Sequence, residues 1–299
     1  MKKSFTSIEQ GKNSFWRYLL SLLTIIFFIL ISGFFYALAL SLIDPAALDT
    51  PELILGRPIA DLALSHIPMF AWVLGIWFSI AVIHKRSLRT LITPYSKINW
   101  KKILYGFLVF FGLMAVESIV EFIIFPQSYS LHPFDFLNYM WLVLVAVLLV
   151  PIQTTCEELM FRGFILQWAG KWLRNPILLS IIVGLIFGSL HFVNPEMNRG
   201  AIVVGFHYVF IGFMFTYIAV KSNSAELSIG AHAANNVFLV LFIVSDNSVV
   251  GDIPSLFIVS EQSPYISTIS SAIVLVAFYL ITVKRKKHRR LNEEEEQSA

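Results

Sequence analysis

Cysteine is almost missing from this chain, and charge is scarce. One cysteine, Cys156, in 299 residues excludes an intrachain disulfide and a zinc site built on thiolates. Charged residues make up 14% of the chain against 57% hydrophobic ones, with a mean hydropathy of +0.74, and no soluble domain has that profile. The net charge of +3 sits in short Lys/Arg clusters beside apolar runs, which membrane orientation explains without any nucleic-acid partner. Internal repeats, extended linkers and the HExxH spacing of common zinc proteases are absent, and no serine or cysteine stands in an evident nucleophile setting.

What is present is long apolar sequence, with 27 phenylalanines and 7 tryptophans. A helix needs ~20 residues to cross an ~30 Å hydrocarbon core, and runs of that length recur along the chain. They predict an all-α, polytopic membrane protein with about eight transmembrane helices, near 17–43, 60–83, 103–125, 139–172, 176–193, 200–220, 226–244 and 264–283. Residues 1–138 then form an N-terminal group of three helices, 139–244 a core of four, and 245–299 the last helix and a tail.

Basic residues alternate cleanly between the two sides. Lys2, Lys3, Lys12 and Arg17 precede the first span; Lys85, Arg86, Arg89, Lys97, Lys101 and Lys102 separate the second and third; Lys171, Arg174, Lys221 and the run from Lys284 to Arg290 follow on the same side. The opposite segments hold only Arg57 and Arg199, so the positive-inside rule predicts both termini in the cytoplasm. Short loops and strong basicity suggest a bacterial inner-membrane protein. Ala37-Leu38-Ala39 could imitate a signal-peptide cleavage site, but the apolar run from Tyr18 is longer than an ordinary h-region, which favours an uncleaved first helix. The tail, basic and then acidic from Glu293 to Glu296, reads as a solvated end whose basic half has affinity for anionic lipid.

One interruption of the apolar pattern stands out, Glu157-Glu158-Leu159-Met160-Phe161-Arg162. Each charge costs roughly 2.5–3.5 kcal/mol at a bilayer centre unless it faces a partner or water, so such a cluster is a functional-site hypothesis. On a helix Glu158 and Arg162 are i,i+4 and can neutralise each other, while Glu157 points about 100° away and is left for other work. Two further polar interruptions follow, Phe187-Gly188-Ser189-Leu190-His191 and His232-Ala233-Ala234-Asn235-Asn236. If the helices either side of Asn175-Pro176 form a hairpin, Glu157 and His191 each lie 17 residues from a turn centred on 174, hence ~25 Å from it and at one depth. His232 and Asn236 share a face of the seventh helix, but straight helices leave His232 something like 10 Å out of register, to be made up by tilt or by breaks at Gly205 and Gly212.

The set supplies a base, an imidazole and a pair of donors without a nucleophilic side chain, so water is the expected nucleophile. Glu157 and His191 would position and deprotonate it, and His232 with Asn236 would hold the oxyanion of a tetrahedral intermediate. Zinc is the rival activator, since Glu157, His191 and His232 are also a plausible ligand set; whether a cofactor is needed stays open. Glu117 and Glu121, i,i+4 in the third helix, suggest a proton or cation relay, a polar cavity wall, or structural partners of an arginine or backbone amide. His207 reads as an interhelical hydrogen-bonder, Gly184, Gly188 and Ser189 as a close-packing face, and Cys156 as a packed residue.

At these residues the sequence resembles the CPBP family of intramembrane proteases, which groups CAAX prenyl endopeptidases with bacterial bacteriocin-processing and immunity proteins. Its motifs EExxxR, FxxxH and HxxxN stand here as Glu157-Glu158 with Arg162, Phe187 with His191, and His232 with Asn236. The resemblance covers about 140–244 and implies an intramembrane catalytic cavity and an endopeptidase acting on membrane-associated peptides or proteins through a glutamate-activated water. It further implies that Glu158 and Arg162 hold the first motif in shape; the motifs do not settle metal dependence. The competing readings are a non-catalytic immunity or binding protein of the same fold and a proton-coupled transporter, the latter weakened by the lack of an inverted repeat.

Overall fold

A computed structural model describes residues 4–49, 55–245, 248, 252–260 and 263–284; the tail after Lys284 lies outside the described residues. The chain is an all-α polytopic membrane protein. Helix α1 covers Phe15–Ile43, α2 Pro58–Leu64, α3 Ile67–Phe78, α4 Trp100–Ile124, α5 Phe136–Leu148, α6 Val150–Glu158, α7 Leu166–Ala169, α8 Pro176–Ser189, α9 Ala201–Ser222, α10 Glu226–Phe242 and α11 Pro264–Tyr279. Joined end to end, these make six spans long and apolar enough to cross a membrane, Phe15–Ile43, Pro58–Ile83, Trp100–Ile124, Phe136–Ala169, Ala201–Ser222 and Pro264–Lys284.

The two remaining apolar helices, α8 and α10, complete the expected set of about eight but are shorter than the rest. Helix α8 has 14 residues and α10 has 17, so at ~1.5 Å per residue α8 rises only about 21 Å. Expected spans also prove to be compound. The second bends where α2 gives way to α3 at Ser65 and His66, the His66 imidazole contacting the Leu62 carbonyl oxygen at 2.7 Å. The fourth passes from α5 to α6 at Leu149, just before Pro151, and then through a π-helical turn over Leu159–Ile165.

Helix starts follow local chemistry. Asn99 accepts from the Lys102 amide at 3.0 Å to cap α4, and Asp135 accepts from the Asn138 amide at 2.9 Å to cap α5. Asn175 caps α8 through the Ile177 and Leu178 amides with Pro176 in the first turn, which forms the expected break between the fourth and fifth spans. Helices α8 and α9 run closely because their facing residues are glycines. A Cβ on Gly184 would lie 2.7 Å from the Phe213 amide nitrogen, and one on Gly212 would lie 2.9 Å from the Gly184 Cα. The expected packing role of Gly184 and Gly188 holds, and α9 runs unbroken through Gly205 and Gly212.

At the end carrying the basic loops, residues 4–13 form a strap. Phe5 is fully buried and its amide donates to Asn223 Oδ1 at 2.8 Å, while the Lys12 amide donates to the His84 carbonyl at 2.7 Å. The Ala225 amide reaches the Ile92 carbonyl at 2.8 Å, and Lys102 pairs with Glu226 at 3.3 Å. The start of α10 is therefore buried against the loop that joins the second and third spans. At the other end, strands β1 (Tyr129–Leu131), β2 (Ile243–Ser245) and β3 (Phe257–Val259) form a small sheet of order β1-β3-β2, antiparallel between β1 and β3 and parallel between β2 and β3. Strands of three residues leave no readable alternation: β1 and β3 fall in segments expected as loops, and β2 takes over the end of the seventh expected helix, 226–244.

Candidate active site

The first motif arrives on α6 and its π turn, the second at the end of α8, the third on α10. Glu158 is fully buried and forms an ion pair with Arg162 at 2.8 Å, as the i,i+4 spacing requires. Arg162 is also fully buried, and its guanidinium carbon lies 4.5 Å from the ring centre of Phe187 and 5.4 Å from that of Phe215. Aromatic faces therefore cover a charge that lipid would not solvate.

His232 joins the helices. Its Nδ1 lies 2.9 Å from Glu158 Oε1 and its Nε2 lies 3.8 Å from Glu157 Oε2, so one imidazole stands between the two adjacent glutamates. This overturns the expected depth mismatch of His232. A count that starts α10 at the membrane surface fails because its first turn is buried, Glu226 meeting Lys102 and the Asn99 amide of the loop between the second and third spans, and His232 reaches the level of α6. Of the pair expected as donors, His232 has its Nδ1 engaged by Glu158, and Asn236 accepts through Oδ1 from Asn235 Nδ2 at 2.9 Å.

His191 lies just beyond α8 and is held on three sides. Its Nδ1 donates to the Phe187 carbonyl at 2.8 Å, its ring sits 4.5 Å from that of Phe187, and Tyr208 stacks on it at 4.3 Å with an interplanar angle of 21°. In the neutral ring Nε2 is left as the acceptor. Phe187 is the hub, since its ring also lies 6.3 Å from that of His232 and beneath Arg162.

Three participants escape the motifs. Gln153, one turn before Glu157, donates from Nε2 to Glu157 Oε1 at 3.4 Å. Tyr208 orients His191 and accepts from Asn194 Nδ2 at 3.3 Å, and Phe215 backs both Arg162 and His232. The i,i+4 relation of Gln153 to Glu157 was a readable signal; the long-range contacts of Tyr208 and Phe215 were not. His207 proves to make an edge contact with Tyr208, ring centres 5.9 Å apart, in place of the interhelical hydrogen bond expected of it. Glu117 accepts from Ser270 at 2.7 Å and Glu121 from Tyr129 at 3.2 Å, so the partners of this pair are hydroxyls and not the arginine or backbone amide considered. Cys156 packs, buried, in the core.

The zinc alternative can be tested on the donor set. No three His, Cys, Asp or Glu side chains among the described residues are grouped to hold a metal ion. His232 and His191 turn Nδ1 to Glu158 and to a carbonyl, which leaves Nε2 of each as the atom a metal would take, and the chemistry below uses only the chain's own groups.

The fold and the site define a polytopic helical membrane protein with a Glu-Glu-Arg-His cluster among its helices. Residues 136–238 match the model of the Rce1-like family, type II CAAX prenyl endopeptidases. The chain is 44% identical over 265 residues to YyaK of Bacillus subtilis (strain 168), itself uncharacterized, covering 87% of this chain and 89% of that protein. The chain belongs to the CPBP family of intramembrane proteases. No solved structure matches it.

Proposed function

We propose that the protein is an intramembrane endopeptidase that hydrolyses peptide bonds of membrane-associated peptides or proteins with a water activated by Glu157. The observation that carries this is the meeting of three motifs from separate helices at one point, with His232 2.9 Å from Glu158 and 3.8 Å from Glu157. Glu157, the less encumbered carboxylate, takes a proton from water while His191 Nε2 accepts the other hydrogen and orients the lone pair. The hydroxide adds to the scissile carbonyl carbon, and the oxyanion is stabilised by the Nε2–H of His232 in its imidazolium form, its Nδ1–H held by Glu158, and by the Asn236 side-chain amide. The proton held by Glu157 passes to the leaving amine as the C–N bond breaks. Glu158 and Arg162 stay paired throughout and hold His232 in place.

Both termini are assigned to the cytoplasmic face of a bacterial cell membrane. Support comes from the basic residues clustering at one end of the bundle and from the bacterial relative.

The deciding experiment compares membrane proteomes and secreted peptides from cells carrying wild-type or Glu157→Gln protein at matched levels. New termini seen only with wild type are expected. Unchanged termini with the biological phenotype intact in the variant would instead support a binding or immunity protein.

A further inference from the structure

At the end carrying the basic loops, a buried arginine stands without a counter-ion. Arg86, in the loop between the second and third spans, is 4% exposed, and its side chain meets only neutral partners. Its Nη1 donates to Gln167 Oε1 at 2.8 Å, the Tyr18 hydroxyl lies beside it, and its Nε and Nη2 are buried with no hydrogen-bond partner among the described residues. Taking a guanidinium out of water without a carboxylate or other anion is costly, so an anion here is stabilising.

The surroundings add charge of the same sign. Arg17 of α1 donates to the Ile83 carbonyl, and Lys171, just after α7, donates to the Asn13 carbonyl of the strap, its ammonium 6.0 Å from the centre of the Tyr18 ring. His84 is fully buried, with Nδ1 3.0 Å from Asn13 Oδ1, and it senses the cluster: burial first, and then Arg86, Arg17 and Lys171, keep its imidazole neutral. Among the described residues none of Arg17, Arg86 and Lys171 pairs with a carboxylate, and Glu9, the acidic residue of the strap, is exposed.

Two further observations say what kind of anion fits. The cluster reaches the surface through Lys171, which is exposed, and Arg17, which is half-buried; both donate to main-chain carbonyls, and a charged oxygen is the stronger acceptor for either. Beside it Trp16 and Trp172 are 72% and 59% exposed, their rings 5.5 and 5.9 Å from that of Phe15. Exposed indoles at a span end sit at the headgroup level of a bilayer, which is the depth of lipid phosphates. A phosphate offers several oxygens around one centre, enough for a guanidinium fork and an ammonium together.

We infer that Arg17, Arg86 and Lys171 form a phosphate-binding site between the start of α1, the loop joining the second and third spans and the end of α7, and that its ligand is the headgroup of an anionic phospholipid. The phosphate oxygens take Arg17 and Lys171 in place of the two carbonyls, with the unpaired Arg86 charge behind them strengthening the attraction. The site stands whether or not the chain hydrolyses peptides.

The test is thermal unfolding of the full-length protein, stripped of lipid in a non-ionic detergent, with phosphatidylglycerol, phosphatidylcholine or inorganic phosphate added. Wild type is expected to gain about 5 °C at saturating phosphatidylglycerol and much less with net-neutral phosphatidylcholine. Arg17→Gln with Lys171→Gln should keep the lipid-free midpoint and lose most of the gain. Lys97→Gln with Lys101→Gln, which removes the same charge from exposed positions of the same end, should keep the gain. Arg86→Met should unfold no lower than wild type without lipid, because a buried unpaired charge is gone, and gain nothing from phosphatidylglycerol; if it fails to fold, the Arg17 and Lys171 variant decides alone. An equal gain from inorganic phosphate keeps the phosphate site and overturns lipid as its source. No gain in wild type, an equal gain with phosphatidylcholine, a full gain in the Arg17 and Lys171 variant or an equal loss in the Lys97 and Lys101 control overturns the site. A gain that wild type lacks and that appears once residues 291–299 are removed assigns the anion to Glu293–Glu296 and overturns the lipid.

Discussion

His232 Nδ1 lies 2.9 Å from Glu158 Oε1, a contact across 74 residues of sequence that ties the third motif to the first. Glu158 thereby serves two partners at once, the Arg162 guanidinium at 2.8 Å and the imidazole. In the proposed mechanism it positions His232 beside Glu157, and it is the counter-ion of a buried arginine.

Glu158→Gln should therefore damage folding first. Leaving a buried guanidinium without its carboxylate costs on the order of 3–5 kcal/mol, which a midpoint of thermal unfolding in detergent detects. Adding Arg162→Met should restore much of that loss, because the unpaired charge is gone, while peptide cleavage stays absent because His232 has lost its anchor. Normal stability of the single variant would contradict this division of roles.

Tyr208 should matter through His191 alone. An aromatic pair contributes about 0.5–1.5 kcal/mol beyond area, so Tyr208→Leu is expected to lower kcat roughly 2- to 10-fold on a peptide identified by the proteome comparison, with KM little changed. Tyr208→Phe keeps the stack and should stay near wild type. Equal losses in both would assign the effect to the Asn194–Tyr208 hydrogen bond instead.

Gly184→Ala places a methyl 2.7 Å from the Phe213 amide nitrogen and 2.9 Å from the Val209 carbonyl oxygen, backbone atoms that cannot rotate away. Separation of α8 from α9 should cost about 1–3 kcal/mol of stability. Gly33→Ala, with nothing within 4 Å, is the matched control and should be neutral or slightly stabilising. Similar unfolding midpoints for the two variants would show that α8 and α9 are less tightly packed than described.

His84, between the second and third spans, gives a pH signature. Burial, with Arg86 beside it, pushes its imidazole from 6.5 down to about 4. The unfolded chain then takes up a proton below about pH 6.5 that the folded one refuses until about pH 4, so stability falls as pH falls through that window. The loss is on the order of 3 kcal/mol. His84→Gln should flatten this part of the stability curve measured in detergent between pH 7 and pH 4; an unchanged slope would remove His84 as the cause.

Much of the fold was legible because lipid imposes one rule on every span: the backbone must satisfy itself and the side chains must be apolar. That rule exposes helices by length, and it makes each intramembrane Glu, Arg and His conspicuous as a departure. Asn175-Pro176 announced the turn before α8, and the i,i+4 spacing of Glu158 and Arg162 announced their ion pair, because both depend on residues close in sequence. The bend at Ser65, the short α8 and the three-residue strands were not legible, since their causes lie in neighbours distant along the chain.

By itself, the sequence determined the membrane class, the clustering of basic residues on one side, and the three polar motifs that mark the candidate site, all consequences of local composition and helical spacing. Only the tertiary structure decided that α10 starts buried against the loop between the second and third spans, that His232 stands between Glu157 and Glu158, and that Tyr208 stacks on His191. Those facts come from how helices pack against one another, and the depth at which a helix begins is set by what buries its first turn, which no count of residues within that helix contains.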